Sequence, residues 1–222
     1  MSARTLSLQV AITVYKMASN EDELIDLQIR NVVAMFTCCC HVDLRKFATC
    51  SCHVIYERSR GVAMKQLKNP RCYVKIWSSG KIILTGCHSE TDAKVAARRI
   101  ARLLQRTIGP QVKFANFRVT NIMATCKLPF PLRIESMAKR YPRESSYEPE
   151  LNVGLLWRSI IPKATLRIYT TGSVTVTGAT AESSVLEVME NLYPILLEFR
   201  ADSCTSNSNS DHNSNIMYSV VV

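Results

Sequence analysis

Two stretches of the chain carry side chains suited to gripping a polyanion. Tyr73, Lys75 and Trp77 fall on every second residue, and Arg167 and Tyr169 continue the pattern at an offset of 92 from Lys75 and Trp77. In an extended strand that spacing puts all members on one side. Cations there can pair with phosphate oxygens, while aromatic rings offer flat apolar contact. Bond-making chemistry has no comparable signal. The chain lacks G-x-x-x-x-G-K-[ST], G-x-G-x-x-G and H-E-x-x-H, and its four histidines (41, 53, 88 and 212) are scattered. These features exclude the motif-bearing enzyme classes, and no cofactor is expected. The nine cysteines are 38, 39, 40, 50, 52, 72, 87, 126 and 204, an odd number with no C-x-x-C pair. The cluster Cys38–His41 with Cys50, Cys52 and His53 departs from the C-x₂₋₄-C spacing of structural zinc sites. It reads as free thiols of a reducing compartment, with no metal.

Charge names the class of partner. Lys and Arg number 28 against 18 acids, a net +10, which favours nucleic acid, then acidic protein. The excess is uneven. Residues 29–110 hold 15 basic and 4 acidic residues, a net +11; residues 111–200 hold 11 and 8, a net +3. No apolar run reaches the roughly 18 residues of a membrane span, so no membrane association is expected.

The elements that must position these side chains occur twice. Pro70 recurs as Pro162, Trp77-Ser78-Ser79-Gly80 as Tyr169-Thr170-Thr171-Gly172, and Ile83-Leu84-Thr85-Gly86 as Thr175-Val176-Thr177-Gly178, all at an offset of 92. Asn31-Val32-Val33 recurs as Asn121-Ile122-Met123 at an offset of 90. A near-constant offset over several segments is the mark of duplication. Four parts follow: a polar extension over 1–27, a first repeat over 28–110, a second over 111–200 and a low-complexity tail over 201–222. Within each repeat, residues 72–77 and 164–169 alternate as strands, and Gly80 and Gly172 turn them into 81–85 and 173–177. Ala93, Ala96, Ala97, Ile100 and Leu104 mark one face of a helix over 90–107, capped by Ser89. Val185, Val188, Met189, Leu192 and Leu196 mark another over 182–199, with a kink expected at Pro194. Shorter helices are expected at 42–50 and 130–139. The class is α+β, an antiparallel sheet with helices on one face, built twice.

Alternation sorts the sheet into two faces. Val74, Ile76, Ile82, Leu84, Leu166, Ile168, Val174 and Val176 should meet the helices. The opposite face then presents Tyr73, Lys75, Trp77, Ile83, Thr85, Arg167, Tyr169, Thr175 and Thr177, joined by Asn31, Val33, Asn121 and Met123. Such a mixture of apolar, amide and basic groups is a contact surface. A separate feature is Lys94, Arg98, Arg102 and Arg106, spaced by four along the first long helix. It forms a basic ridge that an acidic partner could meet.

The segments IWSSGKIILTG, SSYEPEL and RIYTTGSVTVTG, each in its place within a duplicated unit, resemble the TATA-box-binding protein family over about residues 28–200. Their variants are similar to its divergent TATA-box-binding-protein-like branch. The resemblance implies a pseudo-twofold saddle: a curved ten-stranded antiparallel sheet, four helices on its convex face and the DNA minor groove under its concave face. It implies that Asn31 and Asn121 contact the central base steps, and that Val33, Ile83, Thr85, Met123, Thr175 and Thr177 line the groove. It also implies action in the nucleus as a general factor of RNA polymerase II initiation.

The family wedges four phenylalanines into the duplex. The aligned residues here are Arg60, Trp77, Asn152 and Tyr169, two of them polar, and Lys75 and Arg167 replace apolar groove-facing positions. The expectation is therefore weak TATA recognition, minor-groove binding of low sequence selectivity and phosphate contacts from residues such as Lys81 and Arg158. Glu148, Glu150 and Leu151 match the loop that contacts transcription factor IIB in the family. Transcription factor IIA is a further implied partner, and self-association a further contact. The alternative is an interaction platform without useful DNA binding that sequesters transcription factor IIA.

Overall fold

The computed structural model describes residues 14–18 and 24–201. The chain runs β1 (Val14–Ala18), β2 (Leu24–Thr37), α1 (Leu44–Cys50), β3 (Val54–Glu57), a 3₁₀ turn (Arg58–Arg60), β4 (Val62–Lys68), β5 (Arg71–Trp77), β6 (Lys81–Cys87) and α2 (Glu90–Thr107). The second half repeats the plan with β7 (Ala115–Lys127), α3 (Ile134–Arg140), β8 (Ser145–Ser146), β9 (Leu155–Ser159), β10 (Ala164–Ile168), β11 (Ser173–Ala179) and α4 (Glu182–Glu198). Ten strands form one antiparallel path in the order β3-β4-β5-β6-β2-β7-β11-β10-β9-β8, and β1 pairs with β2 beside it.

Period-two burial sets the two faces. Val74, Ile76, Ile82 and Leu84 in the first repeat, and Leu166, Ile168, Val174 and Val176 in the second, are all at most 1% exposed. They pack with Ala93, Ala96, Ala97, Ile100 and Leu104 of α2 and with Val185, Val188, Met189, Leu192 and Leu196 of α4 in one continuous core. The Ser89 hydroxyl caps α2, accepting from the Asp92 N–H at 3.0 Å. Pro194 lies inside α4, which continues to Glu198.

Each hairpin turn is tied to the loop that follows the long strand of its own repeat. Cys38 N–H donates to the Gly80 carbonyl, and Leu128 N–H to that of Gly172, both at 2.9 Å. Gly80 and Gly172 sit at φ +84° and +78°, and a Cβ there would meet the carbonyl oxygens of Cys40 at 2.5 Å and Phe130 at 2.2 Å. Only glycine fits such a conformation against such a neighbour.

The boundary expected at residue 28 needs correction. β2 starts at Leu24, Leu27 is fully buried, and Val14–Ala18 pairs with Leu24–Gln28. Part of the expected polar extension is therefore sheet. Acidic residues Glu21 to Asp26 mask a strand whose alternate positions, Leu27 and Ile29, are apolar. Of the expected tail, only Ala201 lies within the described residues.

The repeats are joined along β2 and β7, which pair from Asp26↔Lys127 to Thr37↔Ala115. A second link crosses between the helix starts. The Glu182 carboxylate accepts from the Glu90 N–H at 2.7 Å, and the Glu90 carboxylate accepts from the Glu182 N–H at 2.6 Å. Each helix is thus capped by an acid from the other repeat, as the helix dipole favours. α4 has no side-chain cap of its own at Ala181. The Glu90 carboxylate supplies it, so Glu90→Ala is expected to lower stability by about 1 kcal/mol, and Glu90→Gln, which keeps an acceptor, to recover most of it. Urea unfolding measures both; an alanine variant as stable as the parent would contradict the cap.

Candidate nucleic-acid interface

The helix-free face is organised about the pair Val32↔Ile122, both buried on the helix side. On the open side, Asn31 lies opposite Met123 and Val33 opposite Asn121. The two halves of the centre are therefore interchanged by a pseudo-twofold axis.

The amides have a fixed orientation. The Gly86 N–H donates to Asn31 Oδ1 at 2.7 Å, and the Gly178 N–H donates to Asn121 Oδ1 at 2.7 Å. Both glycines lie at register shifts, inside the β6–β2 ladder before Cys87↔Val32 and inside the β11–β7 ladder before Ala179↔Ile122. A bulge frees one backbone N–H from the ladder, and the amide oxygen satisfies it. Because an N–H can pair only with the oxygen, each Nδ2 is left as the outward group, with two donors for acceptors placed above the sheet. The Thr85 hydroxyl also donates to Asn31 Oδ1, at 3.4 Å, and the Thr177 hydroxyl donates to the Thr165 carbonyl at 3.2 Å. Their oxygens remain available as acceptors.

Around this centre the expected residues share the open face. Val33, Ile83, Thr85, Met123, Thr175, Thr177, Trp77 and Tyr169 are half-buried, while Lys75, Arg167, Lys81 and Arg158 are exposed. Lys75 pairs with Ile83 and Arg167 with Thr175, so the two cations occupy equivalent places. Lys81 extends its ammonium 5.9 Å from the centre of the Trp77 ring, a distance suited to cation–π attraction. Trp77 stands opposite Val62. The Tyr169 ring lies over Gly154, where a Cβ would come within 3.0 Å of it.

Arg60 and Asn152 lie off the strands. Arg60 ends the 3₁₀ turn with its side chain 77% exposed and its guanidinium 3.3 Å from the Glu57 carboxylate. Asn152 is exposed in the loop before β9, with its N–H donating to the Glu148 carbonyl at 2.8 Å. Glu148, Glu150 and Leu151 occupy that same loop at the β8–β9 end of the sheet, all exposed, Leu151 to 75%. Lys94, Arg98, Arg102 and Arg106 are exposed along α2, on the opposite side of the molecule from the open face.

Sequence reasoning missed other members of the face. Met64 pairs with Lys75, and Leu156 with Arg167; Met35 pairs with Ile83, and Thr125 with Thr175. The signal was present: the offset of 92 maps Met64 to Leu156, and the offset of 90 maps Met35 to Thr125. A trough of about 620 Å³ lies in the first half, lined by Ile55, Met64, Gln66, Tyr73, Lys75 and Thr85.

Behind the sheet the thiols are quiet. Burial pushes Cys38 up to about 11 and Cys126 up to about 12, so both stay protonated at neutral pH. Between the neighbouring buried thiols, Cys72 donates to Cys87, which raises the first and lowers the second. Among the described residues, no three His, Cys, Asp or Glu side chains come together to hold a metal ion, and no helix is long and apolar enough to cross a membrane.

Comparison with known proteins gives the same picture of duplication. The chain matches the family model described as transcription factor TFIID (or TATA-binding protein, TBP) over residues 26–107 and again over 116–199. It is 56% identical over 191 residues to TATA box-binding protein-like 1 of Caenorhabditis elegans, a match covering 82% of this chain and 38% of that protein. It thus spans well under half of that relative's length. It is 40% identical over 184 residues to TATA box-binding protein-like 1 of Danio rerio, covering 83% and 98%. It is 38% identical over 173 residues to the TATA-box-binding protein of Saccharomyces cerevisiae, covering 78% and 72%. Among solved structures, Methanococcus jannaschii TBP superposes with a TM-score of 0.66 at 24% identity, covering 78% of this chain and 98% of that one; this likeness concerns the fold.

The fixed amides give a direct test. Asn121→Ala removes the acceptor of the Gly178 N–H and leaves it to solvent, which is expected to cost about 1 kcal/mol, the net worth of one hydrogen bond. Asn121→Asp keeps the accepting oxygen and is expected to unfold in urea within about 0.5 kcal/mol of the parent. Equal losses in the two variants would contradict the assigned orientation.

Proposed function

The chain belongs to the TATA-binding protein family, a family of DNA-binding general transcription factors and not of enzymes, and on that premise we propose that it acts in RNA polymerase II initiation at promoters lacking a TATA box, in the nucleus, with weak TATA recognition. The observation that carries this reading is the chemistry at the four positions aligned with the family's wedges. Each inserted wedge must offset an unstacking cost of a few kcal/mol. The Arg60 guanidinium is paired with Glu57 and the Asn152 side chain is a polar amide in an exposed loop, so neither offers apolar area to a base step. Trp77 and Tyr169 alone remain aromatic.

What the face keeps is a minor-groove surface. The outward Nδ2 groups of Asn31 and Asn121 suit the N3 and O2 acceptors that every A·T pair presents there. Lys75, Lys81, Arg158 and Arg167 suit the phosphates on either side. Affinity from phosphate contacts is nearly blind to sequence and falls steeply with salt.

The partners follow from the two remaining surfaces. Glu148, Glu150 and Leu151 form an exposed loop with two acids beside an apolar side chain, suited to a basic partner with an apolar pocket; transcription factor IIB is assigned to it. The second reading keeps transcription factor IIA and drops useful DNA binding. It is favoured by the basic ridge of Lys94, Arg98, Arg102 and Arg106, which an acidic protein could hold while the open face stays empty.

Titration against TATA and scrambled duplexes at two salt concentrations separates these readings. The expected outcome is measurable, salt-sensitive affinity with little difference between duplexes, and a partial gain of TATA preference in the Arg60→Phe/Asn152→Phe double variant. Strong TATA preference in the parent chain at physiological salt would refute the reading of the wedge positions; no binding at low salt would favour the platform. Charge reversal of Glu148 and Glu150 is expected to weaken retention of purified transcription factor IIB without weakening duplex binding, since the added cations can only favour phosphates. Unchanged retention would remove that assignment.

A further inference from the structure

The pseudo-twofold axis relates backbones, but the chemistry on its two sides differs. In the first half, one row across the open face reads Met35, Ile83, Lys75 and Met64. Its mate in the second half reads Thr125, Thr175, Arg167 and Leu156. In the adjoining row, Tyr73 faces Thr85 in the first half, and Thr165 faces Thr177 in the second. Met35, Ile83 and Tyr73 are thus replaced by Thr125, Thr175 and Thr165. One half is lined by sulfur, aliphatic and aromatic groups, with Tyr73 half exposed. The other carries threonine hydroxyls at those three positions, beside Leu156.

Hydrogen bonding sharpens the contrast. Arg30 Nε donates to the Thr125 hydroxyl at 2.9 Å, and the Thr177 hydroxyl gives its proton to the Thr165 carbonyl. Thr85 in the first half likewise gives its proton inward, to Asn31 Oδ1, so the halves differ not at Thr85 and Thr177 but at Thr125, which retains an accepting lone pair, and at Thr175. In the minor groove the feature that separates G·C from A·T is the guanine N2 amino group, a donor that also projects into the groove. Against the hydroxyl half that donor finds an acceptor. Against Met35 and Ile83 it is desolvated with no partner, and a buried donor left unpaired is costly.

Resting on the reading of the open face as a minor-groove surface, we propose that the two halves have different base requirements: the first repeat demands A·T pairs, and the second tolerates G·C. The specificity-determining residues are Met35 and Ile83 on one side, and Thr125 and Thr175 on the other. A duplex that is A·T-rich in one half and G·C-rich in the other is then bound in one orientation, so the protein reads polarity without reading a TATA box.

The test uses the full chain and three duplexes of equal length: all A·T, half A·T and half G·C, and all G·C. The expected affinities are equal within about twofold for the first two duplexes and lower by on the order of tenfold for the third, the range expected when one donor is left unpaired. Exchanging the linings separates the halves. Met35→Thr/Ile83→Thr should bring the all-G·C duplex up to the level of the half-and-half one. Thr125→Met/Thr175→Ile should lower the half-and-half duplex about tenfold and leave the all-A·T duplex unchanged. All four positions are half-buried on the open face, and unfolding midpoints check that the variants fold. Parallel losses from all A·T to half to all G·C, or exchanges that leave the ratios unmoved, would overturn the inference while leaving DNA binding intact. Failure to bind any of the three duplexes at low salt would overturn the reading of the face itself, and the inference with it.

Discussion

The open face depends on the ladder between β2 and β7. Paired from Asp26↔Lys127 to Thr37↔Ala115, these long strands make two small repeats into one sheet and set the spacing of everything on it. Each strand lends only part of its far edge to its own repeat, Val32–Thr37 to β6 and Ile122–Lys127 to β11. Near the end of each of those ladders lies a bulge, at Gly86 and at Gly178. Each bulge leaves a donor that an asparagine must satisfy, and the same bond aims the asparagine's donors outward. The orientation of the two central amides is thus a consequence of how the halves are joined. The reciprocal acids Glu90 and Glu182 repeat the logic on the other side of the sheet, where each helix start is completed by the opposite repeat.

Around that frame the two sides of the sheet are under different constraints. The helix side is fully buried, so volume and alternation dictate it, and the repeats agree closely there. The open side has no internal partner, so side chains can diverge without unfolding the protein. That is where Lys75 and Arg167 appear, and where Ile83 parts from Thr175, while Arg60 and Asn152 lie in the turn and loop off the strands. Such substitutions alter what the face can grip while the backbone stays fixed, which is how one saddle supports unlike recognition.

Much of this was legible in the sequence because strands and long helices have strict periods. The alternation at 72–77 and 164–169 gave the correct face for Trp77 and Tyr169, and the repeated glycines located both hairpin turns. The start of β2 was not legible, since its apolar positions Leu27 and Ile29 begin amid acidic residues and its pairing with β1 is tertiary. Met64 and Leu156 were missed although the offset of 92 contains them, because the alternation of β4 is broken by adjacent buried residues, Val62 and Ala63, and that of β9 is hidden in the apolar run Leu155-Leu156-Trp157. The exchange of caps between Glu90 and Glu182 was invisible, because it joins residues 92 apart through backbone N–H groups.

The central claim is that the open face grips the minor groove with only two of the four wedge positions aromatic, one in each repeat. Bending of the duplex tests this most directly, because inserted wedges unstack base steps and phosphate contacts do not. End-to-end energy transfer on a doubly labelled duplex in complex with the full chain, read beside the yeast TATA-box-binding protein on the same duplex, supplies the measurement. The account predicts a bend well below that of the yeast protein, increasing when phenylalanine is placed at 60 and 152. A bend equal to that of the yeast protein on a TATA duplex would contradict it.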